Sequence, residues 1–236
     1  MPTVAEKPRV ARIVPLPLPL VDGQRFLIHN VPWSGYEAML AILGDRPIRV
    51  TYDRGDLELM SPSIAHEESG RLLGLFVQAL AEELGFPCLG LKSATWRRRL
   101  EERGLEADES FYLANAERIV ALGKKVDLNV NPPPDLCIEV EITRSALERM
   151  PIYEALGVPE VWRYDGETLR VAALGPDGTY SYGDQSPSMP FLPIAKVVRL
   201  VALAEGMEHA RWGRMIRSWI RHNLPPIGDR PDDGAD

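Results

Sequence analysis

Apolar residues recur at two different periods along this chain, and the switches between the periods mark its elements. Between Ser61 and Gly85, SPSIAHEESGRLLGLFVQALAEELG places Leu72, Leu73, Phe76, Leu80 and Leu84 at helical spacing. Serines 61 and 63 supply a start and Gly85 a stop, so the pattern predicts one long helix. Before it, SGYEAMLAILG reads as a short helix ended by Gly44. IRVTYDRGDLELM follows as two alternating runs joined through Asp53, Arg54 and Gly55, which is a hairpin pattern. After the long helix, PCLGLKSATWRR, ESFYLAN and LCIEVEIT read as strands, with AERIVALG as a short helix between the last two. Ser145 and Glu148 form a capping-box pattern that opens a further helical segment, with Pro151 at a break or a new first turn and Gly157 as its end. EVWRYDGETLRVAALGPDGTYSYG alternates around YDG and PDG as a meander of short strands, and a helix or helix pair runs from about Leu192 to His222.

This order of elements predicts an α/β fold, a mixed β-sheet flanked by helices, in a single domain over residues 31–223. The prolines of VPLPLPL favour an extended arm over residues 1–30, and the Pro, Gly and Asp of PPIGDRPDDGAD favour a disordered tail over 224–236. The formal charge of -7 gives the chain no general attraction for nucleic acid or an anionic membrane, and leaves room only for local basic patches. Cys88 and Cys137 form neither a CxxC pair nor a disulfide framework. No apolar run could span a bilayer and no leader segment is visible, so the expectation is a cytoplasmic protein without a membrane partner.

The stretch DLCIEVEIT changes the picture. Leu136, Ile138, Val140 and Ile142 share one face of the strand, while Asp135, Cys137, Glu139 and Glu141 share the other. Residues two apart on a strand are roughly 6.5–7 Å apart, so Glu139 and Glu141 repel unless water, an arginine or a metal ion lies between them. A solvent-facing polar edge is one explanation. The Ile and Val content, and a helical segment rather than a tight turn after the strand, point instead to a central strand covered on both faces. Carboxylates placed there need a cation, and hard oxygen ligands suit Mg²⁺ or Mn²⁺. A second acidic cluster, Glu106, Asp108 and Glu109 in GLEADESFYL, lies some thirty positions upstream.

Taken together, LELMSPSIAHEE, GLEADESFYL, PPPDLCIEVEIT and IYEALGVPEVWRYDG resemble the Uma-two family of endonucleases, over roughly Ser34 to Asp165. The resemblance implies the restriction-endonuclease-like fold of the PD-(D/E)XK nucleases and metal-dependent hydrolysis of DNA. By position, Asp108 stands for the aspartate of the PD motif, preceded by Ala107 in place of proline, and Glu139 stands at the D/E position. These two are the implied ligands of Mg (or Mn). Glu141 stands where the pattern has lysine, which is the main departure, and is expected to hold metal-bound water or accept its proton. Arg149 stands where family members carry a helical lysine; an arginine is no general base at neutral pH, so its expected role is to hold the phosphate. His66 aligns with a histidine at the start of the family's long helix and joins the expected catalytic set, with Glu67 as a further acidic member. Asp135 is left as a residue at the start of its strand.

DNA as a partner requires positive surface. Arg97 and Arg98, in TWRRRLEER with Arg99 and Arg103, supply one patch. Arg211, Arg214, Arg217 and Arg221 supply another along the terminal helix. Solvated amphipathic surface accounts for both equally simply. A homodimer is compatible with the fold by analogy. Two other classes stay open: a nuclease-like fold that has lost cleavage and binds DNA or protein, and a carboxylate-pair glycosidase, which the sequence offers no aromatic subsites to support.

Overall fold

The computed structural model describes residues 24–123, 126–142 and 145–225. Of the arm read over residues 1–30, residues 1–23 lie outside them, as do residues 226–236 of the tail read over 224–236. Arg25–Ile28, which the sequence reading placed inside the arm, forms the first strand, β1. The next elements are α1 (Trp33–Leu43), β2 (Arg49–Asp53), β3 (Asp56–Met60), α2 (Ile64–Leu84), β4 (Leu89–Gly90) and β5 (Thr95–Arg98). They are followed by β6 (Arg103–Glu106), β7 (Glu109–Tyr112), α3 (Ala116–Ala121), β8 (Leu136–Val140), α4 (Met150–Leu156) and β9 (Glu160–Tyr164). β10 (Leu169–Leu174), β11 (Tyr180–Gly183), α5 (Ile194–Ala202) and α6 (His209–Asn223) complete the order.

The long helix has the ends its sequence demands. The Ser63 hydroxyl accepts the His66 backbone N–H at 3.2 Å, and Gly85 closes the helix in the left-handed region at φ 76°. Its apolar stripe, Leu73, Phe76, Val77 and Leu80, is fully buried against Leu136, Ile138 and Val140 of β8 together with α5 and α6. On the other face of β8, Cys137 meets a second core built from Met150, Ile152, Tyr153 and Leu156 of α4 with Trp96 and Leu105. A third, aromatic core joins α1 to the hairpin, with the Tyr36 and Tyr52 rings stacked at 4.8 Å.

Where one mixed sheet was expected, the strands form two sheets. One runs β1-β3-β2-β6-β5, and the other runs β11-β10-β9-β8-β7-β4. The second is mixed: β8 and β9 are parallel, linked through α4, and its other pairings are antiparallel. A parallel pair needs a crossover, which explains why a helix and not a tight turn follows LCIEV. β8 is thereby an interior strand with all five of its residues buried.

Asp135 secures the start of β8. Its carboxylate accepts the N–H groups of Leu113 and Asn115 at 2.7 and 3.1 Å and the Asn115 side-chain amide at 2.8 Å. Asp135→Ala leaves these donors unanswered at a half-buried position, and is expected to lower stability by about 3 kcal/mol in urea denaturation. An unchanged midpoint would mean that water substitutes for the carboxylate at no cost.

Candidate active site

Asp108 lies at the junction of the two sheets, between β6 and β7. Its backbone N–H donates to Ile138 O at 3.2 Å, and its Oδ2 accepts the Val140 N–H at 2.8 Å, so the carboxylate is strapped across the end of β8 beside Glu139. Oδ1 is buried without a hydrogen-bond partner. Two cationic or protonatable side chains approach from opposite elements. His66 Nε2, from the first turn of α2, lies 3.5 Å from Oδ2, and Arg49 Nε, from β2, lies 3.9 Å from Oδ1. Glu67 holds Arg49 through Nη2 at 2.8 Å. The His66 Nδ1 and Arg49 Nε atoms are themselves buried and unpartnered. Each such group ordinarily costs about 1–3 kcal/mol, so three around one carboxylate mark a place where stability has been conceded.

Glu139 projects from β8 toward α4 and is almost wholly buried. Its Oε1 accepts the Tyr153 hydroxyl and lies 3.1 Å from Arg149 Nη2. Burial drives the Glu139 carboxyl above the ordinary carboxylate range; the Arg149 guanidinium opposes this, and the charge of Asp108 adds to it. That last influence places the two carboxylates in one electrostatic neighbourhood. Burial, with Glu139 next in importance, lifts the Tyr153 hydroxyl well above its usual range, so it remains a donor. Arg149 also donates to Glu106 O.

A cleft of about 1360 Å³ opens over Asp108, with Arg49, His66, Lys92, Thr95 and Glu109 among its lining residues. Glu139 and Arg149 lie behind this lining. Glu109 packs closely on α2: a Cβ at Gly74 would fall 2.8 Å from its Cδ and push the carboxylate aside. Burial pushes the Glu109 carboxyl up to about 7, with Lys92 pulling it back and Asp108 pushing it further. The folded protein therefore holds a proton here between the unfolded value of 4.5 and about 7. The associated stability is complete below about 4.5 and is lost as pH rises through about 7. Glu109→Gln is expected to remove that loss, so at pH 8 the variant unfolds at higher denaturant than the parent, by about 2 kcal/mol after allowance for solvent in the cleft. Identical pH profiles for the two proteins would refute the assignment.

The other expected site residues divide. Arg97 is exposed on β5. The Arg98 guanidinium donates to the carbonyls of Leu128, Ala155 and Leu156 at 3.2, 2.8 and 3.1 Å, and so caps the end of α4. Glu141 lies just beyond the end of β8, where Arg163 grips it with two hydrogen bonds of 2.6 and 2.9 Å. That bidentate pair occupies the carboxylate expected to serve the attacking water. On α6, Arg217 and Arg221 pair with Glu82 and Glu83 of α2, so half of the terminal-helix patch is neutralised.

Several residues of the site were not singled out in the sequence. Arg49 opens an ordinary alternating strand and carries no local signal. Tyr153 did carry one: it lies four residues after Arg149, the spacing that stacks two side chains on one face of a helix. Glu58 is buried on β3, and its oxygens accept the Ser145 hydroxyl at 2.5 Å and the N–H groups of Ala146 and Leu147 at 3.0 and 3.1 Å. It anchors the loop leading to Arg149. Both cysteines are free. Burial pushes the Cys88 thiol up to about 11 and raises Cys137 well above the ordinary thiol range, so neither offers a thiolate.

Among the described residues no three His, Cys, Asp or Glu side chains converge as a ready ligand set, and no helix is long and apolar enough to cross a membrane. No curated protein matches the chain. A family model described as "Putative restriction endonuclease", that of Uma-two, matches residues 33–199. The match takes in the hairpin, the long helix, both acidic clusters and the β8-α4-β9 crossover, and the chain belongs to that family.

Proposed function

We propose that this protein is a divalent-metal-dependent endonuclease acting on phosphodiester bonds in DNA. The observation that carries the reading is the Asp108 carboxylate, buried at the edge of a large cleft with one oxygen unpartnered and the other strapped beside Glu139. Two hard carboxylates suit Mg²⁺ or Mn²⁺, which commonly takes one or two protein carboxylates and completes its shell with water and substrate phosphate. Asp108 and Glu139 are the residues that would hold it. When bound, it would lower the pKa of a water and neutralise phosphate charge.

The chain's own groups do the rest. His66 orients the Asp108 carboxylate. Tyr153 and Arg149 fix Glu139, and Glu58 fixes the loop from which Arg149 enters. Arg149 acts on Glu139 and not on a phosphate directly, because its guanidinium is spent on Glu139 and the Glu106 carbonyl behind the cleft. Glu109, unlike Glu141, lines the cleft and is poised to exchange a proton near neutrality.

A second reading, a binding module without cleavage, draws on one observation: Arg149 already supplies a positive partner to Glu139. Supercoiled plasmid incubated with the protein in Mg²⁺ or Mn²⁺ separates the two. Metal-dependent nicking by the parent, absent in Asp108→Ala and Glu139→Ala, is expected. Equal nicking by all three would remove the site assignment, and DNA binding with no nicking by the parent would favour the module.

A further inference from the structure

Arg49 and Asp108 are complementary charges that stop short of each other. The 3.9 Å from Nε to Oδ1 is too long for a hydrogen bond, and both atoms are buried without partners. Glu67 explains the gap: by holding Nη2 at 2.8 Å from α2, it keeps the guanidinium from closing on Asp108. Arg49 is therefore paired through Nη2 with Glu67 while its Nε is left without a partner beside Asp108. Its side chain is 13% exposed, it lines the cleft, and its unpartnered Nε lies beside the carboxylate where the chemistry is proposed. Arg46 and Arg71 also line the cleft, Arg46 donating to the Ile42 and Leu43 carbonyls, but among the described residues Arg49 is the arginine that comes within 4 Å of Asp108. Arg149 is paired to Glu139, and Arg98 and Arg163 are committed to carbonyls and to Glu141.

We propose that Arg49 is a substrate-binding residue whose guanidinium donates to a phosphate oxygen of the nucleic-acid backbone seated over Asp108. The inference rests on the nuclease reading for the identity of the substrate, and it assigns to Arg49 the fixed positive charge that the lysine-to-Glu141 exchange removes from the family motif. A guanidinium fits this role because it is charged at every working pH and its planar fork matches phosphate oxygens. Glu67 is then a positioning residue, presenting Arg49 at a set angle to the cleft.

The test is binding of a short fluorescein-labelled DNA duplex, read by anisotropy across a salt series in Ca²⁺ in place of Mg²⁺, for the parent, Arg49→Met and Arg49→Lys. Arg49→Met is expected to bind roughly ten- to a hundredfold more weakly, with the slope of log affinity against log salt reduced by about one phosphate contact. Arg49→Lys keeps the charge and so the slope, while losing part of the affinity. Should the methionine variant fail to fold, the lysine variant still decides, because parental affinity for it would show that the fork touches nothing. An unchanged salt slope in a folded Arg49→Met overturns the proposal. Failure of the nuclease reading looks different: the parent binds DNA without cutting it in Mg²⁺ or Mn²⁺, and the slope difference at Arg49 persists.

Discussion

Asp108→Asn is expected to give a folded protein that has lost metal-dependent DNA cleavage by on the order of 10³-fold, several kcal/mol of transition-state stabilisation. Asparagine retains an oxygen to accept the Val140 N–H, so the strap across β8 survives. The charge does not survive. Asp108 in the parent pushes the Glu139 carboxyl further toward its neutral form, and its Oδ1 lies buried and unpartnered. The amide relieves the first but sets a buried nitrogen donor opposite Arg49 Nε in place of Oδ1, so in metal-free buffer the variant should stay within about 1–2 kcal/mol of the parent. Lost cleavage in a protein that still folds is the mark of a residue kept for chemistry. The measurements are plasmid nicking in Mg²⁺ and guanidinium unfolding in EDTA. A variant that is strongly destabilised, or one that cuts at the parental rate, contradicts the role given to Asp108.

Glu139→Gln is expected to behave differently on stability. It removes the negative partner of Arg149, whose side chain is 12% exposed and cannot reach water easily. Stranding a buried charge typically costs about 3–5 kcal/mol, and a loss of that size is expected in the denaturant midpoint. Glu139→Gln combined with Arg149→Met should recover most of it, because the stranded charge is gone while the Tyr153 hydroxyl still meets an acceptor at position 139. Neither protein should cut DNA. If the double variant is no more stable than the single one, Arg149 holds its place through Glu106 and Glu58 rather than through Glu139.

The sequence made the long helix legible because period, cap and stop agreed: Ser63, the stripe from Leu72 to Leu84, and Gly85. The β8-α4-β9 crossover was legible for a similar reason, a central apolar run followed by helix signals. The separation of a five-stranded sheet was not. Its strand β6 is four residues, RGLE, with no alternation to betray it, and β2 meets β6 across about fifty residues, a pairing that no local pattern encodes. In the site, Asp108 and Glu139 came from the family motif and are brought together by the Asp108–Val140 hydrogen bond. The Arg163 pairing of Glu141 was not legible, because the two-residue period was carried one step past Val140, where the strand ends. Nor was the surrounding of Arg98, because charge in a sequence does not reveal whether a guanidinium will find three carbonyls.

Glu58 has a consequence for how the molecule can open. It belongs to β3 in one sheet, yet its carboxylate fastens Ala146 and Leu147, which follow β8 of the other. A fluctuation that frees this loop must either strip a buried carboxylate of its donors or carry the hairpin along with it. The Ala146 and Leu147 amides are therefore expected to exchange with solvent more slowly than those of an untethered connection. Through that tether an opening on the Glu139 and Arg149 side of the site is coupled to the sheet that carries Arg49.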